Sequence, residues 1–148
     1  DVDKIFSIGE CLYKISPTWK QVIDTKETKY FSPSGTTSPE NGILMAQIQY
    51  IDIGKDSQYE LFDEYIQELR NDVTNLEILE QNDIRVANLD GRRVYFSTKV
   101  NEDVYEFESV IFVNNGMFYT FTAAHKDNLT TSFKNGFNNL VQSIGFVM

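Results

Sequence analysis

His125 is the chain's one histidine and Cys11 its one cysteine, which narrows the chemistry available to side chains. A histidine-centred metal site would have to recruit carboxylates, and only Asp127 and Asn128 stand beside His125. A cluster within one loop is weak grounds for a metal, and a loop-packing or exposed imidazole is the expectation. A serine triad would need an elbow of the form G-x-S-x-G leading into a helix, and the sequence has none. It also lacks a phosphate loop and a G-x-G-x-x-G turn. Asp52, Asp56 and Asp63 do not follow the calcium-loop spacing. Cys11 cannot form an intrachain disulfide, and its apolar setting predicts a small buried hydrophobe rather than a reactive thiol.

Two sets of paired carboxylates could in principle serve as acid and base. Glu106 and Glu108 are two apart on a predicted strand and so share a face, while Asp63, Glu64 and Glu68 are neighbours on a predicted helix. Neither set carries a burial signal, and both are expected to be solvated. Trp19, Tyr30 and Phe31 could line a ligand cleft beside the Ser32–Gly42 loop, although aromatics at strand ends more commonly fill a core. On these grounds no residue is assigned a catalytic, cofactor-binding or metal-binding role, and no cofactor is expected.

Charge narrows the class of partner. The net charge is −9. Eleven acidic residues fall between Asp52 and Asp90, opposed there only by Lys55, Arg70 and Arg85. Such a chain repels phosphate backbones, which argues against nucleic acid and anionic membranes as partners. The acidic segment 52–90 reads first as a solvated helix face with its flanking loops, and second as a surface for a small ligand or a divalent cation. At 148 residues the expectation is a single domain, 1–148, large enough to bury a core without disulfides or metal. No apolar run reaches the roughly 20 residues that a membrane-spanning helix needs.

The elements that must position these residues are legible in outline. Val104 to Ala124 holds two aromatic and β-branched runs around Asn115-Gly116, the dipeptide that best suits a two-residue type I′ turn. That turn pairs Phe112 with Tyr119, Val110 with Phe121 and Val113 with Phe118, with apolar residues on both faces near the turn. Earlier come short strands at Cys11–Ile15, around Val22-Ile23 and around Tyr30-Phe31. The Ser32–Gly42 loop follows, then a strand over Ile43–Ile53 whose Gln47 and Gln49 face a wetter side. Ser57 to Glu60 reads as a capping box opening a helix with Tyr59, Phe62, Ile66, Leu69, Val73 and Leu76 on its buried stripe. A strand over Ile84–Leu89, a turn at Asp90-Gly91 and a strand over Arg93–Val100 lead into the hairpin, so that a four-strand meander runs from Ile84 to Ala124. A last helix, capped by Thr130 or Asn128, presents Phe133, Phe137, Leu140 and Ile144 to the core. Gly136 within it suggests close packing on the sheet. The expected fold class is α+β: an antiparallel sheet with a helix on each face, three layers in all.

Several local sequences resemble the PsbP-like family, named for an extrinsic protein of photosystem II. They are Ser16-Pro17-Thr18-Trp19, the Leu89-Asp90-Gly91-Arg92-Arg93-Val94-Tyr95 segment, the hairpin end Phe118-Tyr119-Thr120-Phe121-Thr122, and the tail with Phe133, Phe137, Leu140, Val141, Ser143, Ile144 and Phe146. The resemblance spans nearly the whole chain and implies the family's α+β sandwich. Photosynthetic members are lysine-rich and bind an assembly partner electrostatically, whereas this chain is acidic, and no metal or site residue carries over. Bacterial lipoproteins share the fold. The resemblance, together with a first residue that is not Met, gives the expectation of a non-enzymatic binding or accessory domain from an extracytoplasmic bacterial protein, anchored upstream by lipid. Its partner would be another protein, met at a sheet edge or at the long loop.

Overall fold

The computed structural model describes residues 3–51 and 58–146. Its centre is the hairpin of β8 (Asp103–Asn114) and β9 (Met117–Lys126), turned by Asn115 and Gly116 with φ of 55° and 77°. Only glycine and a few polar residues enter that left-handed region cheaply, so the dipeptide fixes the turn. The register follows: Val110 opposes Phe121, Phe112 opposes Tyr119 and Val113 opposes Phe118.

Around this hairpin the chain builds a seven-stranded antiparallel sheet. Its remaining strands are β3 (Lys20–Asp24), β4 (Thr28–Ser32), β5 (Ile43–Tyr50), β6 (Glu77–Val86) and β7 (Leu89–Val100), and the spatial order is β3-β4-β5-β9-β8-β7-β6. A separate three-stranded sheet joins β1 (Lys4–Ile8), β2 (Cys11–Ile15) and β10 (Gly145–Phe146), bringing the two ends of the described chain together. Two helices complete the α+β fold, α1 (Gln58–Asp72) and α2 (Thr131–Gln142).

Alternation along β8 and β9 sorts their side chains into different clusters. Val110, Phe112, Tyr119, Phe121 and Ala123 join Ile8, Cys11, Tyr13 and Ile15 of the small sheet and Phe133, Phe137 and Leu140 of α2. Ile111 and Phe118 instead pack with Phe62 of α1. Farther along the sheet, Val94 and Phe96 pack with Ile66, and Leu69 and Leu76 lie against them. The first cluster is dense in rings, with Tyr13 and Phe121 centred 5.3 Å apart and Phe112 and Phe121 5.9 Å apart. Arg92 fastens α1 from the sheet: it ion-pairs with Asp63 at 2.7 Å and lies 5.5 Å from the centre of the Phe62 ring.

Several expectations from sequence are corrected. The turn before β7 is Ala87-Asn88, with φ of 49° and 66°, and not Asp90-Gly91. Arg85 holds it, donating to the Asn88 carbonyl at 2.6 Å and pairing with Asp90 at 2.7 Å. Gly91 lies inside β7, where a Cβ would stand 2.8 Å from the Ile111 carbonyl oxygen. Close approach of two backbones, rather than a turn, is what requires glycine there. The meander also begins earlier than Ile84, because β6 starts at Glu77. Thr130 is the cap of α2, its hydroxyl accepting from the Phe133 N–H at 3.2 Å. Gly136 meets nothing within 4 Å, so close packing is not its reason. The Ser57 end of the expected capping box, and Asp52 to Asp56, lie outside the described residues.

Candidate functional site

An open groove of about 400 Å³ between α1 and strands β4, β5 and β9 gathers several polar groups. Its position follows from local sequence. Gln47, Gln49, Phe118 and Thr120 fall on the α1 side of neighbouring strands, since Gln47 opposes Thr120 and Gln49 opposes Phe118. Glu64 and Glu68 stand one turn apart on α1, with Leu61 and Tyr65 between them and the sheet. Glu27 enters from the β3–β4 turn, which is tied to β5 by the Ile48 N–H donating to the Glu27 carbonyl at 3.0 Å.

The groove has two characters. Part of its lining is apolar and aromatic, made of Phe118, Tyr65, Leu61 and Ile51. Tyr65 donates its hydroxyl to Ser109 at 3.0 Å, and Ser109 lies 2.9 Å from the Thr122 hydroxyl, a polar chain under the helix. Burial pushes the Tyr65 hydroxyl up, while the hydrogen bonds to Ser109 and Thr122 pull the other way. The rim is acidic: the side chains of Glu27, Glu64 and Glu68 make no hydrogen bond or ion pair among the described residues. Thr120 is only 9% exposed as a residue, and its hydroxyl makes no hydrogen bond among the described residues. Such an arrangement can bind a group that is cationic at one end and flat or apolar along its length.

The residues singled out from sequence disperse. His125 lies one residue before the end of β9, with its ring 5.4 Å from that of Phe133 and its Nδ1 2.7 Å from the Lys126 carbonyl oxygen. No three histidine, cysteine or acidic side chains among the described residues gather as a metal site. Cys11 is fully buried, and burial pushes its thiol up to about 12, so it stays protonated. Phe31 belongs to the core beside Phe6 and Tyr13, and Trp19 packs on Phe133 at 5.4 Å. Trp19 does line a small cleft of about 280 Å³ with Leu44 and Leu140, but Tyr30, Phe31 and the Ser32–Gly42 loop do not. Of the described residues of the acidic segment, Asp63, Asp83 and Asp90 are engaged by Arg92 and Arg85, and Glu64 and Glu68 reach the groove.

Glu106 and Glu108 overturn the expectation that both are solvated. Glu106 accepts from the Tyr95 hydroxyl at 2.6 Å and from the Leu129 N–H at 2.9 Å, pinning the approach to α2 onto the sheet. Glu108 is 7% exposed, and burial pushes its carboxyl up against the opposing pull of Arg93 and Lys134. Both act inside the fold. The groove residues Glu27 and Thr120 were not singled out from sequence. The available hint was the polar alternation of Gln47 and Gln49, which marks the same wet strip on β5.

No known protein-family profile matches the chain. No curated protein matches it either. Solved structures do. The cyanobacterial PsbP, CyanoP, of Synechocystis aligns with a TM-score of 0.70 over 98% of this chain and 92% of its own, at 12% identity. The fold is PsbP-like. LpqN of Mycobacterium tuberculosis, a protein involved in cell envelope biogenesis, aligns with a TM-score of 0.71 over 93% of this chain and 83% of LpqN, at 9% identity. A mutant of the protein Mog1 aligns at 0.65 over 99% of this chain and 97% of its own, at 10% identity. Identities this low relate PsbP-like folds, and they transfer no residue roles.

Proposed function

We propose that the chain is a single, non-enzymatic binding domain of an extracytoplasmic bacterial protein, held to the envelope by a lipid anchor and working through contact with another protein. The observation that carries this reading is the near full-length likeness to LpqN and CyanoP. The layering belongs to the same proposal: α1, the large sheet, then the small sheet with α2, as the separate side-chain clusters suggest. The edge strand β6 is charged and broken by a bulge between Ile78 and Glu80, devices that discourage strand addition. Contact through the groove therefore fits better than contact through that edge.

The test is to fractionate the source cell with the full-length protein tagged, and to cross-link and identify what it holds. Envelope fractionation with one partner retained in stoichiometric amount supports the reading, whereas a cytosolic protein or measurable substrate turnover overturns it. Thermal unfolding with calcium, magnesium, manganese or zinc provides a second check. A cation present at 100 times its dissociation constant adds about 2.7 kcal/mol, or roughly 2–4 °C for each kcal/mol. A selective rise of that size would replace the protein partner with a cation.

A further inference from the structure

We propose that the groove between α1 and β4-β5-β9 seats an arginine side chain presented by an exposed segment of the protein partner. This deepens the binding-domain reading and rests on it.

Charge complementarity and shape together select the occupant. Glu27, Glu64 and Glu68 surround the groove without a cationic partner among the described residues. Glu64 and Glu68 are also like charges four apart on one helix, an arrangement that a bound cation relieves. Independently of the carboxylates, Thr120 is nine-tenths buried as a residue and lines the cavity, and its hydroxyl makes no hydrogen bond among the described residues. A ligand N–H can take the place of water on that hydroxyl. Gln47 and Gln49 add amide groups on the same strip. The aromatic lining of Phe118 and Tyr65 then discriminates among cations. A divalent ion would need oxygens converging on one point, and no such group forms among the described residues. A lysine ammonium is a compact, strongly hydrated charge with little use for an aromatic lining, whereas a guanidinium stacks on rings and offers a fork to carboxylates. At about 400 Å³, the groove lies at the small end of ligand sites, the scale of a side chain rather than a cofactor.

The experiment is an NMR titration of the isotopically labelled chain with a blocked glycine pentapeptide carrying a central arginine. Matched peptides carry lysine or citrulline, and spermidine forms a separate arm. The expected result is saturable shifts at the amides of Gln47, Gln49, Phe118 and Thr120. Citrulline, which keeps the shape and loses the charge, should weaken binding by at least about tenfold. A Glu64→Gln/Glu68→Gln variant should weaken it comparably, while its unfolding midpoint stays unchanged or rises. Absence of saturable shifts up to about 10 mM peptide would overturn the proposal. So would equal binding of the citrulline or lysine peptide, tighter binding of spermidine, or unchanged affinity in the double variant. A cellular partner still retained by both the natural chain and the double variant would overturn the arginine groove alone. Loss of any retained partner from the natural chain would overturn the binding-domain reading itself.

Discussion

The side chains of the large sheet that meet the small sheet and α2 differ in kind from those that meet α1. The first set is an aromatic core: Phe112, Tyr119 and Phe121 are each fully buried, Phe112 stacks with the other two, and Tyr13 and Phe146 meet them edge to face. The second mixes Phe62, Ile111 and Phe118 with the hydroxyl chain of Tyr65, Ser109 and Thr122, and ends in an open groove. The first cluster takes in side chains of the small sheet and of α2 together, while the second, against α1, borders the open groove. Where coverage stops, polar side chains can reach water, and there a binding site becomes possible.

The comparison can be broken by paired truncations. Phe121→Ala should cost about 3–5 kcal/mol in urea unfolding, because close-packed rings leave a cavity that cannot collapse. Phe118→Ala, in the groove lining, should cost clearly less, since water can enter from the open side. Equal losses would mean that the two faces are packed alike.

A second substitution sharpens the contrast. The Tyr13 hydroxyl is buried without a hydrogen-bond partner among the described residues, and burial pushes its ionisation up. An unmade buried hydrogen bond costs about 1–3 kcal/mol, so Tyr13→Phe should be neutral or raise stability by up to that amount. A loss of stability would show that this hydroxyl is satisfied in solution. Tyr65→Phe has the opposite sign. It removes a satisfied hydrogen bond to Ser109 and should lower stability by about 1 kcal/mol in the same assay.

The smallest effect is one of slope. The native Glu108 carboxyl holds its proton to higher pH than the ordinary value of 4.5, with burial as the cause. Native protein therefore binds more protons than unfolded chain above that value, and stability falls as pH rises through the native one. Arg93 and Lys134 oppose this fall and Glu80 adds to it. Glu108→Gln should flatten the fall when unfolding is compared at stepped pH. A variant with an unchanged slope would show that Glu108 is ionised in the fold at little cost.

Local chemistry made part of this legible. Asn115-Gly116 sets a register that runs unbroken from Asn114 opposite Met117 to Tyr105 opposite Lys126, because the side-chain period of a strand is two and the turn length leaves one solution. The stripe of Phe133, Phe137 and Leu140 sets α2 for the same kind of reason, and all three are buried. Asp90-Gly91 misleads because two demands select glycine. The turn demand is met at Ala87-Asn88, and the demand for close backbone approach is met at Gly91. Only the packed neighbour, the Ile111 carbonyl, distinguishes them.

The sequence by itself determined the hairpin register, the acidic balance and the presence of both helices, with Phe62 and Ile66 on one and Phe133, Phe137 and Leu140 on the other turned inward. In the fold, α1 stops at Asp72 before Val73 and Leu76, α2 stops at Gln142 before Ile144, and Tyr59 is exposed. Tertiary structure decided the rest. It placed β10 beside β2 across most of the chain, covered Glu108 and left Glu27, Glu64, Glu68 and Thr120 around one groove. Periodicity tells which side chains share a face. Whether that face is wet depends on what lands on it, and that is set by contacts between residues far apart in the chain.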